Sequence, residues 1–184
     1  MRKVILANLV SVDGYFEGPN KELDWFNVDS EFLEQAEETL NFADILLFGR
    51  ITYEHMASYW PTAEAIKNDP IIAKKMNSLS KIVFSKTLEK AEWENTKLVK
   101  ENIIGEISIL KQQPGKDIVI FGSSDLSVYL MQADLIDEFR IFINPVALGG
   151  GKTLFKSINK RYNLKLLNVK TFKSGNVLLC YGKA

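Results

Sequence analysis

Four short stretches place glycine, hydroxyl and charged residues just after apolar runs: Ser11-Val12-Asp13-Gly14, Gly49-Arg50-Ile51-Thr52, Ser85-Lys86-Thr87 and Gly122-Ser123-Ser124-Asp125. A strand that ends in glycine lets the backbone approach a phosphate closely. A helix that follows offers free N–H groups and a positive dipole end. Gly49 and Gly122 both meet that requirement. Arg50 adds a guanidinium that can grip a phosphate through two bonds, and Thr52, Ser123 and Ser124 add hydroxyl donors. In open α/β sheets, ligands gather outside the carboxyl ends of the strands, so four such loops on one edge suit successive parts of a dinucleotide. Each loop also has a plain alternative. Glycine is common turn punctuation, and Ser124 would serve as an ordinary helix N-cap.

Other chemistries find less support. Gly149-Gly150-Gly151-Lys152-Thr153 resembles a phosphate-binding P-loop, but that motif needs a glycine five residues before Gly-Lys-Thr, where Val146 stands. The Gly-x-Gly-x-x-Gly dinucleotide fingerprint is absent, so a dinucleotide would bind in another manner. His55 is the only histidine, which excludes a histidine metal centre, and no carboxylate cluster has metal-binding spacing. A hydrolase would have to pair His55 with Ser11 or Ser123, and nothing marks out such a pair. His55 reads as a surface or structural residue.

The elements that must position these loops are legible in the apolar pattern. Val4–Val10, Ile45–Phe48, Ile82–Phe84 and Ile118–Phe121 are short apolar runs of the kind found in strands covered on both faces, with a further short run at Lys97–Val99, fourth in chain order, between the last two. Asp29 is a good N-cap, with Val28 and Leu33 as a possible hydrophobic staple, for a helix whose apolar face is Phe32, Leu33, Ala36, Leu40 and Ala43. Arg50–Trp60 reads as a helix start followed by loop. Asp69-Pro70 opens a helix to about Leu79, and further helices are expected over Ile103–Lys111 and Asp125–Ala133. Phe139, Ile141 and Ile143 alternate with Arg140 and Phe142 before Asn144-Pro145. Leu164–Phe172 and Asn176–Gly182, joined by Lys173-Ser174-Gly175, read as a hairpin. Strand–helix alternation predicts an α/β fold, a mostly parallel central sheet flanked by helices with a C-terminal antiparallel hairpin. No linker or composition break divides residues 1–184, so one domain is expected.

Composition bounds the partners. The 184 residues are 46% hydrophobic and 25% charged, with 23 basic and 23 acidic residues in balance, so no basic footprint for nucleic acid exists. No apolar run is long enough to cross a bilayer, and a single cysteine, Cys180, permits no intrachain disulfide. Cys180 reads as a small buried strand residue. A cytoplasmic protein without membrane or nucleic-acid partners is expected.

The order of the loops carries a family resemblance. Asn8-Leu9-Val10-Ser11-Val12-Asp13-Gly14, Leu23-Asp24-Trp25-Phe26 and Leu46-Leu47-Phe48-Gly49-Arg50-Ile51-Thr52-Tyr53-Glu54 resemble dihydrofolate reductases and, more closely, the RibD C-terminal reductase family. Val119-Ile120-Phe121-Gly122-Ser123-Ser124 and the run from Asp137 through Asn144-Pro145 to Leu148-Gly149-Gly150-Gly151 extend the likeness over nearly the whole chain, the last being the most specific. The resemblance implies a dihydrofolate-reductase-like fold and NADPH across the carboxyl edge of the sheet. Gly49, Arg50 and Thr52 would hold phosphates on one side, and Gly122, Ser123 and Ser124 the pyrophosphate on the other. Ser85 and Lys86 would meet the adenosine ribose and its 2′-phosphate. Substrate would lie near Asp13, Trp25 and Gly150, with Asp13 as the candidate catalytic residue. Asp24 does not align cleanly with the family's acidic residue. The implied activity is hydride transfer to a small heterocycle of pteridine or pyrimidinone type, or else a nucleotide-binding module of the same fold without turnover. A homodimer is implied, with the strand around Phe139–Val146 at its interface. The zinc deaminase domain found beside this reductase in riboflavin biosynthesis has no counterpart here.

Overall fold

The computed structural model describes residues 1–184. Its strands are β1 (Val4–Ser11), β2 (Tyr15–Glu17), β3 (Ala43–Gly49), β4 (Ser80–Phe84), β5 (Thr96–Val99), β6 (Asp117–Phe121), β7 (Glu138–Asn144), β8 (Lys152–Thr153), β9 (Leu164–Thr171) and β10 (Val177–Lys183). The helices are α1 (Ser30–Asn41), α2 (Arg50–Tyr59), α3 (Ala63–Asn68), α4 (Pro70–Ser78), α5 (Ile103–Gln112) and α6 (Ser124–Gln132). Eight strands form one sheet in the order β5-β4-β3-β6-β1-β7-β10-β9. The first six run parallel, β10 turns antiparallel against β7, and β9 closes the edge as the outer arm of the hairpin.

Two apolar layers cover the sheet, and they explain why its central strands are apolar on both faces. On one face Ile107 and Leu110 of α5 and Leu126, Leu130 and Met131 of α6 pack on Val4, Leu6, Ile118 and Ile120. On the other, Leu40 of α1, Tyr53 of α2 and Ile72 and Met76 of α4 pack on Ile5, Leu46, Phe48 and Val119. A smaller cluster of Phe142, Phe172, Leu178 and Cys180 lies beyond, under Phe32.

Beyond β7 the α6 face of the sheet is only half covered. Cross-strand rows Ile141–Leu179–Val169 and Phe139–Tyr181–Leu166 run out to the edge strand, where Leu166 is 51% and Val169 47% exposed. β7 itself is an interior strand paired on both sides, so the expected interface cannot be its edge. What the Phe139–Val146 region offers is one sheet face.

Several local expectations change. α2 runs unbroken to Tyr59, because Tyr53 is buried and Met56 and Ala57 pack on the same core. Ala43 belongs to β3 rather than to the apolar face of α1, which ends at Asn41. Val28 is 51% exposed, so no closed staple forms, although the Asp29 carboxylate caps α1 as expected by accepting from the Phe32 N–H at 2.8 Å. The loop after β1 contains β2, which pairs with β8 as a separate two-stranded sheet. The short helix α3 precedes α4. No helix is long and apolar enough to cross a membrane.

Candidate functional site

The topology itself creates a crevice. β3 and β6 are neighbours in the sheet, yet β3 leads into α2 on one face and β6 into α6 on the other. Adjacent parallel strands whose helices leave to opposite faces open a cleft at their carboxyl ends, where open α/β sheets bind ligands. Gly49 stands at one lip and Gly122 at the other.

The lips are stitched together. The Ser123 hydroxyl accepts the Gly49 N–H at 2.6 Å, and the Ser123 N–H donates to Thr52 Oγ1 at 3.0 Å. These bonds leave the hydroxyl protons of Thr52 and Ser123 without an acceptor in the protein. Gly122 and Ser123 are successive left-handed residues, with φ of 61° and 60°, that turn the chain from β6 into α6. Gly122 is required there for a second reason: a Cβ would sit 2.9 Å from Thr52 Cγ2. Neither α2 nor α6 has a side-chain cap; α1, α3 and α5 are capped by Asp29, Thr62 and Asn102, and α4, away from the crevice, starts at Pro70 with no bond from the Asp69 side chain. The free amides of α2 and α6 therefore start at the crevice. Ser124 is not the N-cap but the first residue of α6, and its buried hydroxyl has no partner.

Asn8 is the functional candidate that the motif readings passed over. It is buried at 2% exposure near the end of β1, and its amide donates to the Gly122 carbonyl at 3.4 Å. The visible signal was a lone amide within an apolar strand.

Ser85 and Lys86 lie one strand outward, since Gly49 of β3 pairs in register with Phe84 of β4. The Ser85 hydroxyl is committed to its own turn, accepting from the N–H groups of Thr87 at 3.2 Å and Leu88 at 2.9 Å, while Lys86 is exposed. Arg50 is held by Glu54 one helical turn on, with Nη1 at 3.0 and 2.9 Å from the two carboxylate oxygens.

On the other side of β6, Asp13 ties two loops together. Its carboxylate accepts from the Ser11 hydroxyl at 2.6 Å, the Gly149 N–H at 2.8 Å and the Leu148 N–H at 3.1 Å. The Ser11 bond, then the Gly149 bond, pull its pKa down to about 2. A carboxylate so held is ionised at neutral pH and has no proton to give, so the geometry fits Asp13 as the organiser of the Leu148–Gly151 turn. Because its folded pKa is below the ordinary carboxylate value, the stability it contributes is present above about pH 4 and lost as pH falls toward 2. Asp13→Asn is expected to flatten that acid limb in thermal melts between pH 4 and pH 2; an unchanged slope would show that the bonds contribute nothing.

Gly150 packs beside Pro19, and Gly151 passes so close to the Glu17 carbonyl that a Cβ would lie 2.1 Å from its oxygen. Lys152 then reaches Asp125 in the first turn of α6 at 3.0 Å. The glycine turn is thus fastened to β2 on one side and to the crevice helix on the other. Trp25 sits in the segment between β2 and α1. That segment is pinned through Asn27, whose N–H donates to Asn144 Oδ1 at 2.8 Å and whose carbonyl accepts from Asn176 Nδ2 at 2.7 Å. Asn144 and Asn176 are fully buried at the ends of β7 and β10.

His55 is exposed on α2 and Cys180 is buried in β10, as expected, with burial pushing the thiol's pKa up. No group of three or more His, Cys, Asp or Glu side chains is placed to hold a metal. A cavity of about 660 Å³ lies away from the crevice, between α2 and the β4–β5 loop, lined by residues including Tyr53, Glu54, Asn77 and Trp93.

Comparison with known proteins agrees with this frame. The family profile described as the RibD C-terminal domain matches residues 2–178. The uncharacterized protein YyaP of Bacillus subtilis (strain 168) is 37% identical over 180 residues, covering 98% of this chain and 94% of that one. Among solved structures, a pyrimidine reductase-like protein from Corynebacterium diphtheriae has a TM-score of 0.70 at 14% identity, covering 100% of this chain and 92% of that one. The Thermotoga maritima diaminohydroxyphosphoribosylaminopyrimidine deaminase/5-amino-6-(5-phosphoribosylamino)uracil reductase has a TM-score of 0.71 at 15% identity. That match covers 100% of this chain but 57% of the Thermotoga chain. At these identities the structural likeness shows the fold.

Proposed function

The chain belongs to the RibD C-terminal domain family, and from that premise we propose that it is a cytoplasmic NADPH-dependent reductase, one domain over residues 1–184, acting on a small pteridine- or pyrimidinone-like heterocycle. The observation that carries this reading is the β3–β6 crevice: two helix N-termini without side-chain caps and two successive left-handed residues meet there, with the hydroxyls of Thr52 and Ser123, which accept bonds across the lips, and the unpartnered hydroxyl of Ser124. That donor set fits the phosphates of a dinucleotide, with Gly49, Thr52, Gly122, Ser123 and Ser124 at the pyrophosphate and Arg50 and Lys86 toward the adenosine end. Ser85 shapes its turn there and leaves the charge contact to Lys86.

A bound NADPH would supply the hydride. The chain's own contribution is to hold the dinucleotide along the carboxyl edge and to present the substrate beside it, with the Asp13 clasp fixing the Leu148–Gly151 turn and Asn27 fixing the Trp25 segment. Reduction of C=N or C=O also consumes a proton, and the ionised Asp13 does not provide it. That same observation favours the second reading, a dinucleotide-binding module without turnover. An NADPH-oxidation screen over pyrimidinones, pteridines, quinones and small carbonyls separates the two. Turnover on a heterocycle supports the reductase, whereas cofactor binding without turnover on any of them supports the silent module.

The half-covered rows Ile141–Leu179–Val169 and Phe139–Tyr181–Leu166 fit a second copy of the chain, the homodimer of this proposal. Sedimentation is expected to give a dimer that Val169→Lys dissociates; a monomeric wild type at micromolar concentration removes this part.

A further inference from the structure

Resting on the reading above, we propose that Glu54 sets the cofactor preference of this site by competing with the 2′-phosphate of NADPH for Arg50. The two side chains are one helical turn apart on α2, and both carboxylate oxygens engage Nη1, at 3.0 and 2.9 Å. Arg50 follows Gly49, which pairs with Phe84, so Arg50 and Lys86 both stand just past the carboxyl ends of neighbouring strands. Thr52, two residues on, is the α2 residue turned to that cradle through Ser123. In this proposal the α2 N-terminus divides its work: Thr52 is tied to the cradle through Ser123, and the exposed Arg50–Glu54 pair, beside the Lys86 strand end, serves the adenosine end.

A 2′-phosphate carries roughly −1.5 to −2 charges, as other phosphate monoesters do at neutral pH. Glu54 holds only Nη1, so a 2′-phosphate can reach Nη2 and Nε, but it does so beside a carboxylate that offsets the guanidinium charge and repels the phosphate at short range. NADH has a hydroxyl at the same position, which a carboxylate accepts from, and an acidic residue near the ribose is a general device for choosing NAD over NADP. The two side chains pull in opposite directions. Arg50 favours the phosphorylated cofactor, Glu54 favours the unphosphorylated one, and Lys86, which enters no ion pair, is left as the uncontested cation. The pair is 42% and 44% exposed, so the competition is screened and tunes the preference rather than dictating it.

Fluorescence titrations with NADPH and with NADH on wild type, Glu54→Gln and Glu54→Asp test this. Removing the charge is expected to tighten NADPH about fivefold, as for one exposed charge contact, while NADH changes by less than twofold or weakens. Glu54→Asp, which keeps the charge, is expected to stay within about twofold of wild type for both. Circular dichroism melts confirm that both variants fold. If Glu54→Gln leaves the NADPH-to-NADH ratio unchanged or lowers it while wild type binds both, the competition is wrong and the functional reading stands. If wild type binds neither cofactor, both are overturned.

Discussion

Gly122→Ala is expected to lower NADPH affinity at least tenfold while lowering the melting temperature by only a few degrees. The two effects have separate origins. An alanine at φ 61° carries a backbone penalty of about 1–2 kcal/mol, which a chain of this size registers as a shift of roughly 2–8 °C. The binding effect comes from the new Cβ, 2.9 Å from Thr52 Cγ2 and 3.1 Å from Thr52 Oγ1. Thr52 must withdraw, and its bond to the Ser123 N–H goes with it, so the amides that line the crevice lose their alignment. The nearest atom is a methyl group, which gives the prediction a sharper form. Thr52→Ser removes Cγ2 and keeps the hydroxyl, so in the Gly122→Ala background it is expected to recover part of the lost affinity. If Gly122→Ala binds NADPH as wild type does, the cofactor does not use the crevice.

Lys81→Met is expected to destabilise the fold by about 2–4 kcal/mol, a fall in melting temperature of roughly 5–15 °C. Lys81 is 1% exposed, and its ammonium donates to the carbonyls of Met76 at 2.9 Å, Asn77 at 3.1 Å and Leu79 at 2.8 Å, closing the C-terminus of α4. The same nitrogen lies 4.5 Å from the centroid of the Trp93 ring. Methionine keeps the packing and strands the carbonyls, so the loss reports on those bonds. Burial pulls the lysine's pKa down to about 8, against an ordinary value of 10.5 and with Glu94 acting in the opposite direction. Between those values the unfolded chain binds the proton and the folded chain releases it, so this group adds stability as pH rises from about 8 to 10.5. The difference between wild type and Lys81→Met should therefore widen over that window in chemical denaturation. Equal stability at pH 7 would contradict the capping role.

Physical reasons separate what the sequence made legible from what it did not. β1, β3 and β6 were readable because burial on both faces leaves an uninterrupted apolar run. The ends of α1 and α4 were readable from Asp29 and from Asp69-Pro70. The C-terminal half of α2 was not, because residues 53–59 owe their helix to contacts of Tyr53, Met56 and Ala57 with the core, which outweigh the modest helix propensity of a stretch rich in aromatic and polar residues. β2 and β8 are three and two residues long, too short to show periodicity, and exist because the Asp13 clasp and the close pass of Gly151 bring them together. At the site, residue types were visible and their bonds were not. Gly49 and Ser123 stand 74 positions apart, so nothing local announces that the N–H of one donates to the hydroxyl of the other. Asn27 and Asn176 are 149 apart, and an asparagine in a loop reads as a turn former until its partner is known. Asp13 shows the same limit in reverse: its place after β1 suggested chemistry, and its three donors show a fastening.

The central claim is that a nicotinamide dinucleotide occupies the β3–β6 crevice with its phosphates on the α2 and α6 N-termini. Titrating the protein against NADPH, followed by nicotinamide fluorescence, tests it most directly. Saturable binding is expected in wild type, weakened at least tenfold in Gly122→Ala and about fivefold in Arg50→Ala, with NADPH held more tightly than NADH. No saturable change in wild type, or equal binding by all three proteins, would contradict the account.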